Sequence, residues 1–337
     1  MSNNNTPQRA CQPRVEGYPL PSAAVPRVTK TRRFDTKAGN RLNMDVDELY
    51  AVRNNFYVGN FQVAIDEGES TPPLSQQKQI ELDVYVARSR LALGQGEELI
   101  SSINQAPMAM EAVKALAVFE TDPSKREVCL EKVESWLSDE MTRNNPTLRL
   151  VAGLMYTNTG KYSEALTVLK GAGQNQPEHS ALMIQILILM NRIDVAQKEL
   201  TELENSNADD AVITQLAQAW VYTALGGRKT EEASYIFQEL IDKFDPTVRL
   251  LNNLAICKIH MEQYPEAEEM LTTALEESPG DADTLVNLVV VSRHLNKPKE
   301  TVDKWISQLK KADPDNAKLK EWEQADATFE QSVENFQ

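Results

Sequence analysis

The side chains that could bind a metal or attack a substrate are few in this sequence and lie far apart. Its 337 residues include three histidines, His179, His260 and His294, and none has a second His or Cys at the spacing of a zinc site. We expect these histidines to lie at surface or groove positions. The three cysteines are scattered and odd in number, which argues against a disulfide framework. The sequence therefore predicts neither a metal site nor a cofactor.

Two further patterns are typical of ligand or catalytic sites but are incomplete here. The stretch GGRKT, residues 226–230, resembles part of a phosphate-binding loop, but Tyr222 stands where such a loop needs a glycine. Acidic pairs such as Glu268 and Glu269 fall on predicted helices, where adjacent side chains point about 100° apart. They suit a solvated face better than a general acid and base. We predict that the protein is not an enzyme.

The charge of the chain is divided unevenly, and this division excludes some partners. Residues 1–41 carry eight basic and two acidic side chains, a net charge of +6, whereas residues 42–337 carry 27 basic and 48 acidic ones, a net charge of −21. Such an acidic surface repels phosphate backbones and anionic lipid. The longest apolar run, 181–190, is shorter than the roughly 18 residues of a membrane helix. We expect no direct binding of nucleic acid or membrane.

The basic N-terminal segment is rich in proline and lacks an apolar signal core. Five prolines occur in its first 26 residues, too many for a continuous amphipathic helix. We therefore expect residues 1–43 to form a disordered basic extension. A transit peptide and a functional start at Met44 are the alternative interpretations. A reducing, cytosolic setting is expected for the rest of the chain.

A pattern of small and aromatic residues recurs in the chain with a period of 34 residues. GKYSEALTVL at 160–169 is echoed by EQYPEAEEML at 262–271, which lies 102 residues later, or three periods. Intermediate units should then occur between them, and an alanine marks each one at Ala165, Ala196, Ala233 and Ala267. A fixed period of this length predicts tandem helical hairpins.

The recurring offsets within each unit have a physical meaning for a pair of packed helices. Small residues such as Gly153 and Ala165 would let the two helices approach closely, while Tyr162 would fill the wedge between them. Pro177 and Pro279 would each start the next helix, where the missing N–H is harmless.

The pattern resembles the tetratricopeptide repeat and predicts an all-α protein. We expect an α-solenoid of about eight tetratricopeptide-like hairpins over residues 44–316, and the resemblance implies a right-handed superhelix. A closing helix at 317–336 would cap the array, because it carries an apolar stripe and a polar opposite face.

The inner surface of such a superhelix is lined mainly by the first helix of each hairpin. The predicted row is neutral and partly apolar, which suits a groove for a protein segment, although any one of its residues could equally pack against a neighbouring helix. The predicted partner-binding residues are Leu150, Leu154, Gln185, Gln218, Tyr222, Leu225, Asn252, Ile256 and Ile259.

Several stretches together resemble one family, the epsilon subunit of coatomer, the coat of COPI vesicles. The resemblance covers about residues 45–337. It rests on DELYAVRNNFYVGNFQVAI (47–65), TQLAQAWVYTALGG (214–227), EEASYIFQEL (231–240), LLNNLAICKI (250–259), TLVNLVVVSRHLNK (284–297) and ISQLK (306–310).

This resemblance implies a structural coat subunit that binds and stabilises the C-terminal region of the coatomer alpha subunit. Through that subunit it would join the rest of coatomer in retrograde Golgi-to-ER and intra-Golgi transport. The protein would be cytoplasmic, and peripheral on Golgi membranes and COPI vesicles only through the coat.

The alternative within binding proteins is a tetratricopeptide co-chaperone adaptor that holds an acidic C-terminal peptide. Such a clamp needs Lys, Arg and Asn side chains from successive first helices. Arg249, Asn252 and Asn253 occur in one unit, but the preceding unit offers Gln215 and Gln218. The clamp is therefore incomplete.

Overall fold

The computed structural model describes residues 47–173, 176–206 and 211–334. Within these ranges the chain forms seventeen α-helices and no strand, which confirms the predicted all-α solenoid. The predicted extension at 1–43 lies outside the described residues. The helices are α1 (Tyr50–Val58), α2 (Phe61–Ser70), α3 (Gln76–Ala92), α4 (Gly96–Ser102), α5 (Met108–Thr121), α6 (Arg126–Ser138), α7 (Pro146–Asn158), α8 (Tyr162–Lys170), α9 (Pro177–Leu189), α10 (Ile193–Glu204), α11 (Val212–Leu225), α12 (Arg228–Phe244), α13 (Val248–His260), α14 (Tyr264–Glu277), α15 (Ala282–His294), α16 (Lys299–Ala312) and α17 (Ala317–Glu334).

Consecutive helices form eight hairpins, from α1–α2 to α15–α16, and α17 follows the last one. The two helices of each hairpin pack on one another, and in most hairpins the first helix also packs on the first helix of the next. A single hairpin cannot bury both of its faces, so the core arises from this stacking.

The close approach predicted from the small residues is present in the α7–α8 hairpin. A Cβ atom added to Gly153 would lie 2.8 Å from Cδ2 of Leu169, which is too close for any side chain. Ala165 on α8 is fully buried, as is the equivalent Ala267 on α14. The repeat pattern therefore reflects helix contact.

The turn inside most hairpins places at least one residue at positive φ. Gly160 has a φ of +74° between α7 and α8, and Glu262 has a φ of +61° between α13 and α14. Comparable residues with positive φ are Gly59, Gly94, Asn191, Gly226 and Asn296. Glycine adopts this region without penalty, whereas a residue with a Cβ is disfavoured there by about 1 kcal/mol. The turn before α14 is therefore strained.

The prolines that end two of the predicted units, Pro177 and Pro279, play different roles. Pro177 is the first residue of α9, as predicted. Pro279 does not start a helix, so that prediction is wrong. The side chain of Asp281 accepts a hydrogen bond from the N–H of Thr284 and caps α15, which begins at Ala282. The N-cap aspartate satisfies one of the free N–H groups of the first turn and so sets the start of α15 at Ala282.

The array curls back so that its first hairpin contacts units far along the chain. Helix α1 packs against α11 and α12. Val52 and Phe56 of α1 share one buried core with Trp220 of α11 and Leu254 of α13. The hydroxyl of Thr247, just before α13, donates a 2.6 Å hydrogen bond to the carbonyl of Val58. Because of this closure, the first helices surround a common interior.

Helix α17 is covered over its first part only. Leu319 is buried and Trp322 packs beside it, in a cluster with residues of α15 and α16. Phe329, further along the same predicted apolar stripe, is 71% exposed. The contact of α17 with the last hairpin is thus confined to its N-terminal part.

Candidate partner-binding pocket

A pocket with a cavity volume of about 100 Å³ lies at the centre of this closed array. Every residue of its wall comes from the first helix of a hairpin, and seven hairpins, from α1 to α13, contribute. The wall includes Phe56, Leu116, Leu150, Leu154, Leu182, Gln185 and Ile213. Since first helices of seven hairpins meet here, this pocket is the inner surface of the solenoid.

Three of the predicted partner-binding residues line this pocket. They are Leu150 and Leu154 on α7 and Gln185 on α9. Leu150 is buried, whereas Leu154 and Gln185 are half-buried and present part of their side chains to the cavity.

Three other predicted residues lie on α11 but outside the pocket. Gln218 is half-buried, and its amide nitrogen donates to Glu204, with 3.2 Å between Nε2 and Oε1. The ring of Tyr222 lies under the ammonium group of Lys229, 4.1 Å from the ring centroid. Leu225 is 38% exposed at the end of the helix. These residues form a partly polar surface beside the pocket.

The remaining three predicted residues, all on α13, are buried within the chain. The side chain of Asn252 donates to the hydroxyl of Thr284 at 2.6 Å and accepts from the amide of Asn287 at 3.0 Å. Ile256 is buried, and Ile259 packs in the core between α13, α14 and α15. Asn252 and Ile259 thus lie in the contact between two hairpins, and none of the three residues lines the inner pocket.

The closest charged pair in the pocket is Arg88 of α3 with Glu178 of α9. Their side chains are only 10% and 18% exposed, and Nη2 of Arg88 lies 2.6 Å from Oε1 of Glu178. The guanidinium also lies 4.5 Å from the ring centroid of Phe56. Burial alone would lower the pKa of Arg88, but the charge and hydrogen bond of Glu178, with smaller contributions from Tyr85 and Tyr57, together raise that pKa. The pair joins two hairpins that are 90 residues apart.

Two more charged groups line the pocket without an ion-pair partner in the described part of the chain. Burial raises the pKa of Glu120 to about 7, although Arg88 and Arg126 oppose that shift. Burial lowers the pKa of Arg249 to about 10, and the charge of Arg88 acts in the same direction. The pocket thus carries two charged side chains outside any ion pair of the described residues, Glu120 on α5 and Arg249 on α13.

The carboxylate clamp considered from the sequence is not assembled. Nη1 of Arg249 donates to the carbonyl of Tyr57 at 2.9 Å, and Nδ2 of Asn253 donates to the carbonyl of Arg249 itself at 2.8 Å. Asn252 is engaged between α13 and α15. These donors are therefore used to hold the chain together.

Sequence reasoning missed Arg88, Glu120 and Glu178 as pocket residues. Each is a charged side chain on the first helix of a hairpin, beside apolar neighbours that face the core. A charged residue on a helix face that is otherwise apolar was the signal that could have identified these pocket residues. Their partners could not be found in this way, because the contacts join hairpins far apart in sequence.

The histidines are dispersed, as their spacing suggested, but one of them was misplaced. His179 is buried, with Nε2 3.0 Å from the carbonyl oxygen of Pro146, so the prediction of a surface or groove position is wrong for it. Burial lowers its pKa. His294 stacks on the ring of Tyr264, with 4.4 Å between centroids. Across residues 47–173, 176–206 and 211–334, no three His, Cys, Asp or Glu side chains are grouped as metal ligands.

Stacked hairpins around one inner pocket define the class of protein, a tetratricopeptide-like α-solenoid. The fold is similar to that of a tetratricopeptide repeat protein from Parabacteroides merdae. The two share 17% identity with a TM-score of 0.54, covering 72% of this chain and 96% of that one. In the described residues, no helix is both long and apolar enough to cross a membrane.

The family described as "Coatomer epsilon subunit" matches residues 45–337. Coatomer subunit epsilon-1 of Arabidopsis thaliana is 37% identical over 291 residues, which cover 86% of this chain and 97% of that protein. Coatomer subunit epsilon of Dictyostelium discoideum is 29% identical over 301 residues, with 87% and 100% covered. The chain therefore belongs to the coatomer epsilon subunit family, and the resemblance seen in the sequence is confirmed.

Proposed function

We propose that this coatomer subunit is a non-catalytic structural component that binds and stabilises the C-terminal region of the coatomer alpha subunit. It acts in retrograde Golgi-to-ER and intra-Golgi transport. The observation that supports this proposal is the convergence of seven first helices on one partly apolar pocket. A pocket built by so many separate hairpins can surround a side chain of a bound polypeptide segment from several sides.

The contact surface we propose is the pocket together with the neighbouring face of α11. Leu150, Leu154 and Gln185 would contact the bound segment inside the pocket. Gln218, Tyr222 and Leu225 would extend the contact along α11. Asn252 and Ile259 would act indirectly, because they hold α13 against α15, and Ile256 would act indirectly from its buried position on α13. Apolar burial at Leu154 and its neighbours would supply most of the affinity.

The acidic character of the chain supports recruitment through the coat. Residues 42–337 carry a net charge of −21, which repels anionic lipid. The protein would therefore be cytoplasmic and would reach Golgi membranes and COPI vesicles through the other coatomer subunits.

Calorimetric titration with the C-terminal region of the alpha subunit tests the proposal. Leu154→Gln places a polar amide in the pocket, and we expect binding to weaken by about tenfold or more, since one apolar contact at an interface centre contributes about 1–2 kcal/mol. Val128→Gln is the matched control, because Val128 is exposed on α6 away from the pocket. Equal affinity of both variants, with thermal melts showing both folded, would reject the pocket as the contact surface.

A further inference from the structure

We propose that the bound segment presents a lysine or arginine side chain to Glu120, on the α5 wall of the inner pocket. This inference rests on the proposed function, because it specifies the chemistry of the segment held there. It assigns to one side chain of the pocket the task of selecting a basic partner residue.

The carboxylate of Glu120 is partly buried and has no hydrogen-bond or ion-pair partner in the described part of the chain. The two arginines nearest to it are already engaged elsewhere. Arg88 pairs with Glu178. Arg126 donates from Nε to the carbonyl of Phe119 at 3.3 Å and lies over the Phe119 ring. A partly buried carboxylate without a hydrogen-bond partner has lost part of its hydration, so a cation that enters the pocket beside it gains a favourable interaction.

The position of Glu120 on its helix also favours a cation. It is the penultimate residue of α5, which ends at Thr121. The carbonyl end of a helix carries partial negative charge, and it attracts a positive group while it disfavours a carboxylate. A basic side chain placed here would therefore be attracted both by the carboxylate and by the partial negative charge of the helix end.

The shape of the pocket suits a long side chain with a charged tip. Leu116, Leu150 and Leu154 form an apolar wall in the same pocket as Glu120. Lysine and arginine cover such a wall with their methylene stems while the charged group reaches a polar partner. An acidic side chain would instead meet the Glu120 carboxylate. Arg249, the other charged side chain of the pocket that forms no ion pair within the described part of the chain, already donates to the carbonyl of Tyr57.

Binding of a cation at this position should be linked to release of a proton. The charged groups around Glu120 are Arg88 on α3 and Arg126 on α6, and Glu178 on α9 lines the same pocket; α7 contributes Leu150 and Leu154. Burial raises the pKa of Glu120 to about 7, so in the free protein the carboxyl is protonated at acidic pH. Pairing with a cation requires the ionised form. Affinity should therefore rise as the pH increases from 5.5 to 8.

Calorimetric titration of the full chain with the C-terminal region of the alpha subunit, at pH 5.5 and pH 8, tests the inference. We expect binding at pH 8 to be at least about tenfold tighter than at pH 5.5. Glu120→Gln should bind about tenfold more weakly at pH 8 and should lose most of the pH dependence. Glu98 is an exposed glutamate on α4, and Glu98→Gln should bind with the same affinity as the unchanged protein at both pH values.

The outcomes separate the two proposals. No binding by the unchanged protein at either pH would reject the proposed function itself. Tight binding with parallel pH profiles for the unchanged protein and Glu120→Gln would overturn the inference alone, because the pH dependence would then arise in the partner. Substituting each Lys and Arg of the alpha-subunit region by Gln should reveal one position that weakens binding to the unchanged protein but not to Glu120→Gln. Equal losses with both proteins at every position would also overturn it.

Discussion

Arg249 of α13 donates a hydrogen bond to the main-chain carbonyl of Tyr57 at the end of α1, with 2.9 Å between Nη1 and the oxygen and 192 residues between them in sequence. Beside it, Thr247 bonds to the carbonyl of Val58. Gly59 completes the contact, since a Cβ atom added there would lie 3.2 Å from Cβ of Arg249. These bonds fasten the first hairpin to the seventh and enclose the inner pocket.

Thr247→Val should loosen this closure. The substitution removes the donor to the buried Val58 carbonyl and the cap of α13, where the Thr247 hydroxyl accepts from the N–H of Leu250. We expect the free energy of unfolding to fall by about 2 kcal/mol, because one buried acceptor and one helix N–H lose their partner. Urea unfolding measures the loss, and hydrogen exchange should show weaker protection of α1.

Asn145→Ala serves as the control for that experiment. Asn145 caps α7 by accepting from the N–H of Leu148 and takes no part in the closure. It should lower stability by about 1 kcal/mol without a selective change in exchange at α1. If the two variants expose α1 equally, the Thr247 bond does not hold the first hairpin in place.

Glu178→Gln should destabilise the protein more than removal of the whole ion pair. It leaves the Arg88 guanidinium, only 10% exposed, without its carboxylate, and we expect a loss of about 3 kcal/mol. The double variant Arg88→Met with Glu178→Leu leaves no buried charge at this position, so its free energy of unfolding should fall less than that of Glu178→Gln. Urea unfolding of Arg88→Met, of Glu178→Leu and of the double variant measures the coupling between the two side chains. Simple additivity of the two single losses would contradict a functioning buried pair.

Asp283→Asn should stabilise the protein at alkaline pH but hardly at pH 4. Burial, with smaller contributions from the charges of Asp281 and Asp313, raises the pKa of Asp283 from its ordinary value of 3.8 to about 7. The folded state therefore holds this proton more tightly than the unfolded state, and stability is lost as the pH rises from about 4 to 7. We expect a gain of about 1–2 kcal/mol at pH 8, which unfolding at the two pH values measures. An equal gain at both would contradict a titrating Asp283.

The strained turn before α14 predicts opposite effects for two substitutions. Glu262→Gly removes the backbone strain of an exposed non-glycine residue with a φ of +61°. We expect the free energy of unfolding to rise by up to about 1 kcal/mol. Gly160→Ala is its counterpart, because the site has open space but a φ of +74°; it should lose about 1 kcal/mol. Thermal unfolding of both variants shows whether each substitution stabilises or destabilises the protein. A loss in Glu262→Gly would show that the turn is not strained.

The repeat could be predicted from the sequence because its signal is local. The alanines that mark the units, Ala165, Ala196, Ala233 and Ala267, are all fully buried, since each lies where two helices of a hairpin touch. A small residue at that point is required whatever the rest of the chain does, so the period of about 34 residues survives in the sequence.

The closure and the pocket could not be predicted in the same way. Thr247 and Val58 are 189 residues apart, and no periodic pattern connects them. The sequence placed Asn252 on the inner surface because it lies on a first helix. In the structure its amide instead bonds with Thr284 and Asn287 of the next hairpin. Which face of a first helix points inward depends on how each hairpin is rotated on its neighbour, and that rotation is set by contacts between units.

Photo-cross-linking tests the central claim, that the inner pocket holds the alpha-subunit segment, most directly. A benzoylphenylalanine would be introduced in place of Leu154, inside the pocket, or in place of Tyr235, which is 65% exposed on α12. After assembly with the coatomer alpha subunit and irradiation, mass spectrometry identifies the cross-linked peptides. The probe at position 154 should form adducts with the C-terminal region of the alpha subunit, and the probe at position 235 should form none. Adducts from position 235 alone, with none from position 154, would contradict the claim that the inner pocket holds the alpha-subunit segment.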